Sequence, residues 1–212
     1  MSIAVVDYGM GNLRSVAKAI RHVAPEADVV VSADPAVIRA ASRVVLPGQS
    51  AMPDCMRMLD ASGVRDAVVE AAASKPFLGI CLGVQMLFER SAEGPTECLG
   101  LLAGEVLRFD DAALAAATER CKVPHMGWNR VDQVGSHPLW AGVADGSRFY
   151  FAHSYYPAPA DPALVAATTR YPSAFTCAIA RDNIFATQFH PEKSGPIGLD
   201  LLARFARWDG TC

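Results

Sequence analysis

Through its first half the chain alternates short β-branched runs with amphipathic stretches, and that alternation admits few architectures other than a parallel sheet wrapped by helices. Residues 3–6 read as a strand, and 11–23 as a helix with Leu13, Val16, Ala17, Ile20 and Val23 on one apolar stripe. A second strand is expected over 29–31. Asp34-Pro35 then supplies an N-cap and a first-turn proline for a short helix ending before Arg43. Residues 43–46 form the third strand, stopped by Pro47-Gly48; 62–73 read as helix and 77–80 as strand. Beyond that point the pattern changes. Runs at 106–109, 126–134, 149–153, 164–168, 175–180 and 184–189 read as strands separated by Pro, Gly and Asp turns. Strands without intervening helices predict antiparallel extensions of the same sheet, closed by a final helix over 197–208. The Ala-rich segment 112–117 reads as a helical turn or a flexible insertion. The expected fold is α/β and three-layer: a largely parallel central sheet flanked by helices, with antiparallel extensions in the second half, in a single domain over 1–212.

With 51% hydrophobic residues in 212, a sizeable core needs no covalent staples, so the six irregularly spaced cysteines are expected as free thiols in a reducing cytoplasm. A formal net charge of −3 with scattered basic residues gives no footprint for nucleic acid or an anionic membrane. The start, M-S-I-A-V-V-D-Y-G, enters a strand-like run at once and lacks the pattern of a signal peptide. No apolar run approaches a membrane span. There is no C-x-x-C pair and no H-E-x-x-H, and the five histidines lie far apart in sequence, so neither a metal nor a cofactor is expected.

Cys81 stands where the strand pattern meets a helical one, in K-P-F-L-G-I-C-L-G-V-Q-M-L-F, with Gly79 and Gly83 on either side. A G-x-C-x-G at such a junction reads as a nucleophile elbow, since a tight turn is needed to lift the thiol above the sheet edge. The following helix would favour thiolate through its N–H groups and dipole. A lone Cys in an apolar run is ordinarily a buried hydrophobe, the reading given to Cys55, Cys98, Cys121 and Cys177. Cys81 differs because its glycine flanks are not called for by packing. Near the far end, A-T-Q-F-H-P-E-K-S closes an apolar strand with His190, and Glu192 follows two residues on. Ligands of open α/β sheets bind beyond the carboxyl ends of the strands, so the two segments can meet there. Imidazole beside a thiol, with a carboxylate to orient it, is the apparatus for attack on a carbonyl. His153 also ends a strand and is the rival base, but no acid follows it. Oxyanion donors are available from the Leu82 N–H and from the turn L-P-G-Q-S-A-M-P-D.

G-I-C-L-G-V-Q together with H-P-E resembles the class I, or triad, glutamine amidotransferases. Four further segments, D-Y-G-M-G-N-L-R-S-V, V-P-H-M-G-W-N, F-Y-F-A-H-S-Y-Y and A-T-Q-F-H-P-E-K-S, narrow the likeness to the branch that forms the glutaminase subunits of imidazole glycerol phosphate synthase. The resemblance covers essentially the whole chain. It implies Cys81 as the nucleophile that forms a glutamyl thioester, His190 as general base and then acid, and Glu192 as its orienter. It implies Gly48, Gln49 and Leu82 around the oxyanion, and Gln85, Ser154, Tyr155 and Glu93 around glutamine. The implied partner is a (β/α)8-barrel cyclase in a heterodimer, with ammonia passed to it in histidine biosynthesis. Asn12, Met126, Trp128, Asn129, Tyr150 and Lys193 would then lie at the interface, although Trp128 reads equally as core and Asn12 equally as a helix N-cap. One departure stands out: the family's oxyanion turn usually reads P-G-x-G, and here it is Pro47-Gly48-Gln49-Ser50. If position 50 needs positive φ, Ser costs about 1 kcal/mol relative to Gly. Other triad glutaminases share the elbow and H-P-E but lack the H-M-G-W-N and Y-G-M-G-N segments. A redox-sensing cysteine protein of similar fold would have no need of His190 and Glu192.

Overall fold

The computed structural model describes residues 1–117 and 121–211. In chain order the first half runs β1 (Ser2–Val6), α1 (Leu13–Val23), β2 (Asp28–Ser32), α2 (Pro35–Ala40), β3 (Arg43–Gly48), α3 (Met52–Ser62), α4 (Arg65–Ser74), β4 (Phe77–Cys81) and α5 (Leu82–Gln85). The second half adds β5 (Arg90–Ser91), β6 (Thr96–Glu97), β7 (Gly104–Arg108), α6 (Asp111–Ala116), β8 (His125–Arg130), β9 (Asp132–Gln133), β10 (Arg148–His153), β11 (Tyr155–Pro159), β12 (Val165–Arg170), β13 (Ala174–Arg181), β14 (Ile184–Thr187) and α7 (Gly195–Arg207).

The main sheet has eight strands in the order β2-β1-β3-β4-β14-β13-β12-β9. The run from β2 to β14 is parallel, and β13, β12 and β9 extend it antiparallel. The order β2-β1-β3, with the right-handed crossovers that parallel strands adopt, sends α1 and α2 to opposite faces. There α1 packs with α7, and α2 with α4, which gives the three layers. Buried apolar runs explain the parallel strands: every residue of β4 is buried, as are all of β14 and all but the first of β3.

Not every late strand joins this sheet. β8 pairs only with β10, while β11, β7, β5 and β6 form a separate four-stranded sheet. The alternate residues Phe149 and Phe151 of β10 turn their rings onto Phe189, 4.2 and 5.7 Å between centroids, so this pair is layered on the main sheet instead of extending its ladder. β11 carries Pro157 and Pro159 and sits at a sheet edge, where a missing N–H costs no ladder bond.

Three boundaries shift for local reasons. Gly63, at φ 74°, ends α3, so the helix expected from residue 62 starts at Arg65, and α3 is an element of its own. β3 does not stop at Pro47-Gly48; its ladder runs on to pair Pro47 with Ile80 and Gly48 with Cys81. Residues 112–117 lie largely in α6, capped by the Asp110 carboxylate, which accepts from the Ala112 N–H at 2.9 Å. The five cysteines within the described residues are free, and Cys212 lies outside them; Cys55, Cys98 and Cys177 are buried as expected, whereas Cys121 is only half-buried. Among the described residues no helix is long and apolar enough to cross a membrane.

Candidate active site

Cys81 closes β4 with φ 57° and ψ −113°, a conformation that costs a non-glycine residue strain. The strain falls on the cysteine and not on its flanking glycines, and packing does call for those glycines, contrary to the expectation from sequence. A Cβ on Gly83 would collide with the Leu46 carbonyl oxygen of β3. One on Gly79 would meet the Gly83 carbonyl oxygen at 2.8 Å and the Ala186 side chain at 2.9 Å, and one on Gly48 the Leu82 side chain at 2.6 Å. These contacts seat the elbow directly on β3 and β14, so backbone-to-backbone packing holds the strained turn. The helix that follows, α5, is a single turn. Its contribution at Cys81 is therefore that of its first N–H groups and not of a long dipole.

His190 lies just past β14, the neighbour of β4, and Pro191 turns the chain into a 3-10 turn over Pro191–Lys193. That turn brings the fully buried Glu192 carboxylate back to the ring: His190 Nδ1 to Glu192 Oε1 is 2.9 Å. A carboxylate accepting there fixes the proton on Nδ1 and leaves Nε2 as the nitrogen for the Cys81 sulfur. Burial pushes the His190 imidazole down, but the charge and hydrogen bonding of Cys81 and Glu192 outweigh it and raise it to about 10. The site thus favours imidazolium between a sulfur and a carboxylate. Asn12 supports the carboxylate, its amide donating to Glu192 Oε1 at 3.2 Å. It occupies the N-cap position of α1 but makes no side-chain cap bond, so the expected cap is replaced by a link to the far end of the chain.

Cys81 and His190 face a cavity of about 270 Å³ lined also by Gln49, Leu82, Gln85, Glu93, Ser154 and Tyr155. Gly48 lies beneath it, against Leu82. Gln85 donates to the Tyr155 carbonyl at 2.9 Å and to Gln188 Oε1 at 2.8 Å, while its own Oε1 is buried without a partner among the described residues. Gln188 in turn donates to Cys81 Sγ at 3.8 Å. One oxygen of Glu93 accepts from the Met52 N–H at the start of α3, 2.8 Å away.

The turn after β3 is tied down from below. The Tyr8 hydroxyl donates to the Pro47 carbonyl at 3.0 Å and the Cys55 thiol to the Gln49 carbonyl at 3.2 Å. Burial pushes both groups up, Cys55 to about 11, so at neutral pH both keep the protons they donate. Ser50 takes φ 89°, so the condition for strain at that position is met. His153 reaches the same cavity, yet both ring nitrogens are engaged, with His125 at 2.9 Å and the Tyr155 carbonyl at 2.7 Å, which removes it as a base.

The residues expected at a partner surface divide in two. Met126 and Trp128 are 63% and 52% exposed, so Trp128 is not core; its ring stands edge-on to Tyr150 at 6.2 Å. Lys193 lines the rim of the cavity. Asn12 and Asn129 are half-buried and bonded within the chain, Asn129 donating to the Arg170 carbonyl at 3.0 Å. Sequence reasoning missed Gln188, Tyr8 and Cys55. Gln188 was within reach of it: two residues before His190 on an extended segment, it points the same way. Tyr8 and Cys55 carry no local signal, because their partners lie on the turn after β3. Among the described residues no three His, Cys, Asp or Glu side chains gather as a metal-holding group.

The glutamine amidotransferase class-I family model matches residues 4–207. A protein of Aromatoleum aromaticum called imidazole glycerol phosphate synthase subunit HisH is 63% identical over 207 residues, 97% of this chain and 98% of the relative. Its namesake from Dechloromonas aromatica is 63% identical over 208 residues, 98% of this chain and 96% of the relative. Among solved structures, one described as a glutamine amidotransferase superposes with a TM-score of 0.69 at 16% identity, covering 96% of this chain and 98% of its own. PurLQS from Thermotoga maritima gives 0.67 at 19% identity, covering 97% of both chains. At those identities the likeness is one of fold.

Proposed function

The chain belongs to the class I glutamine amidotransferases, and we propose that it is the glutaminase subunit of an imidazole glycerol phosphate synthase, releasing ammonia from L-glutamine for a cyclase in histidine biosynthesis. The observation that carries the reading is the strained, buried Cys81 facing a His190 ring whose far nitrogen is fixed by Glu192. The cavity holds the volume of about nine water molecules. That suits a ligand of about ten non-hydrogen atoms, such as glutamine.

In the mechanism the Cys81 sulfur attacks the glutamine side-chain carbonyl. The proton held on His190 Nε2 goes to the departing nitrogen, which leaves as ammonia and a glutamyl thioester behind it. Water then gives a proton to His190 Nε2 as its oxygen attacks the thioester; the carbon–sulfur bond breaks, glutamate departs, and the sulfur and the protonated His190 return to their starting state. The oxyanion of each tetrahedral intermediate is stabilised by the Leu82 N–H and by the Gly48-Gln49 peptide of the clamped turn. Glu93 receives the α-ammonium of glutamine and Ser154 and Tyr155 its amino-acid end, while Gln85, bonded to the Tyr155 carbonyl, helps hold the substrate from the same wall. Glu192 and Asn12 hold the imidazole in the tautomer that this sequence needs.

The partner is a (β/α)8-barrel cyclase bound as a heterodimer. Exposed Met126 and Trp128, with Tyr150 and Lys193 beside them, form the contact, because aromatic and Met side chains are favoured anchors of such patches. Asn12 and Asn129 stand one layer behind. The chain acts as one glutamine amidotransferase domain over 1–212, in the cytoplasm.

The test is a glutaminase assay of the chain alone, with the cyclase, and with the cyclase plus its ribonucleotide substrate. Turnover should rise with the partner and again with the ribonucleotide, and Cys81→Ala should abolish it throughout. Turnover that ignores the ribonucleotide would overturn the cyclase assignment and favour a triad glutaminase serving another synthase. Turnover that survives in Cys81→Ala would overturn the covalent mechanism.

A further inference from the structure

In the wall of the glutamine cavity His153 is joined ring to ring to a second buried histidine behind it, His125. His125 Nδ1 lies 2.9 Å from His153 Nε2, His153 Nδ1 lies 2.7 Å from the Tyr155 carbonyl, and the Asn129 amide nitrogen lies 3.2 Å from His125 Nε2. Burial pushes His125 down to about 4 and, with His125 adding to it, His153 down to about 3, so both rings are neutral at pH 7. Neutrality makes the protons countable. A carbonyl only accepts, so His153 must carry its proton on Nδ1 and accept at Nε2. His125 must then donate from Nδ1 and accept at Nε2, and the group facing that nitrogen must be the NH₂ of Asn129. Every donor in the chain therefore points one way, from Asn129 at the surface to the Tyr155 carbonyl. That carbonyl also accepts from Gln85, so the chain ends on a residue of the glutamine cavity.

We propose that Asn129, His125 and His153 are positioning residues, a one-directional hydrogen-bond chain that fixes the Tyr155–Gln85 wall of the glutamine site from the surface at β8. The inference deepens the glutaminase reading and rests on it. Three observations support a positioning role over a merely structural one. The chain is continuous and polar inside a shell of rings: His125 stacks on Tyr171 at 4.0 Å and on Phe151 at 4.8 Å, which locks its plane. Its inner end shares one acceptor with Gln85, so a rotation of the Tyr155 peptide moves both donors together. Its outer end, half-buried Asn129, opens on a separate groove of about 590 Å³ along β8 that contains neither Cys81 nor His190. Neighbouring bonds in such a chain polarise one another, so loss of the outer donor weakens the inner contact.

Histidine ¹⁵N–¹H spectra of the full chain, with and without the Asn129→Leu change, test the direction of the chain. Both rings should be Nδ1–H tautomers at pH 7, and the substitution should move the His125 and the His153 signals. An Nε2–H tautomer or a charged ring at either position would overturn the proposal. Glutaminase kinetics test the role. His125→Phe, a change outside the glutamine cavity, should raise KM for glutamine at least fivefold with kcat within twofold; Asn129→Leu should raise KM about twofold. An unchanged KM in both, or a fall in kcat alone, would refute positioning of the pocket. Should His125→Phe fail to fold, the surface Asn129→Leu variant and the spectra decide. Absence of wild-type turnover would fall on the glutaminase reading, whereas the spectra report the chain independently of activity.

Discussion

Ser50→Gly probes the turn that must complete the oxyanion hole. Ser50 takes φ 89°, on the left-handed side where a Cβ costs about 1–2 kcal/mol. Glycine removes that cost but also loosens the unfolded chain, which returns about 0.4–1 kcal/mol of the gain. The net stability change is thus between zero and about 1.5 kcal/mol in favour of glycine, equivalent to a Tm rise of at most about 6 °C at this chain length. The catalytic effect is bounded by the clamp beneath the turn. Tyr8 and Cys55 hold the Pro47 and Gln49 carbonyls, and neither bond involves the Ser50 side chain. Basal and partner-stimulated glutaminase rates should therefore change by less than tenfold, below about 1.4 kcal/mol in barrier. Thermal unfolding and steady-state glutaminase assays on the same preparations read both effects. Destabilisation by more than about 1 kcal/mol would show that serine is not the strained residue at this turn. A rate change beyond tenfold would show that the turn's donors, and not only its strain, depend on position 50.

Two other perturbations test the electrostatics. Glu192→Gln removes the carboxylate that fixes the Nδ1 proton and favours imidazolium, so kcat should fall roughly a hundredfold or more with the fold retained, since loss of a triad acid commonly costs about 10⁴; kcat within threefold of wild type would remove Glu192 from the mechanism. Acid should unfold the chain through its buried histidines. Burial lowers His125 and His137 to about 4 and His153 to about 3, below the unfolded value of about 6.5. Their contribution is whole above pH 6.5 and is lost as pH falls toward 3–4, about 2 kcal/mol for each by pH 5. His190, raised to about 10, gains about 1 kcal/mol over the same fall and offsets part of the loss. Urea unfolding at pH 7.5 and pH 5 measures it, and a loss under about 2 kcal/mol in total would contradict the burial of the three rings.

What could be read from sequence follows from how local each signal is. The parallel strands announce themselves as buried apolar runs, and Asp34-Pro35 marks the start of α2 through chemistry within one turn; its carboxylate does accept from the Ala36 N–H at 2.8 Å. α3 is legible too, since Met52, Cys55, Met56 and Leu59 recur at helical spacing and Gly63 ends the run; the turn read as L-P-G-Q-S-A-M-P-D overlaps its first residues. The pairing of β8 with β10 had no such signal, because a strand's own alternation does not name its partner. At the site, Cys81, His190 and Glu192 each sit in a short motif, and the structure brings the three together. The link from Asn12 to Glu192 has no local signal, since its amide meets a carboxylate supplied by the other end of the chain.

Motifs alone do not bring a thiol and an imidazole together; the register of β14 against β4 does. Ala186 lies opposite Gly79 and Thr187 opposite Ile80, so the extended segment after β14 carries Gln188 and His190 past the end of β4 on the side where Cys81 emerges. A slip of one residue would turn both side chains to the other face and leave Cys81 without a base. The sheet resists that slip through size as well as hydrogen bonding. Gly79 and Ala186 are in close contact, and any larger pair at that point would push the strands apart. The Gln188 N–H donates to the Cys177 carbonyl at 2.8 Å, which ties the exit of β14 to β13 as well. The small residues around the elbow therefore perform two tasks with one contact: they let β3, β4 and β14 approach closely enough to hold Cys81 in a strained conformation, and they fix the register that delivers His190 to it.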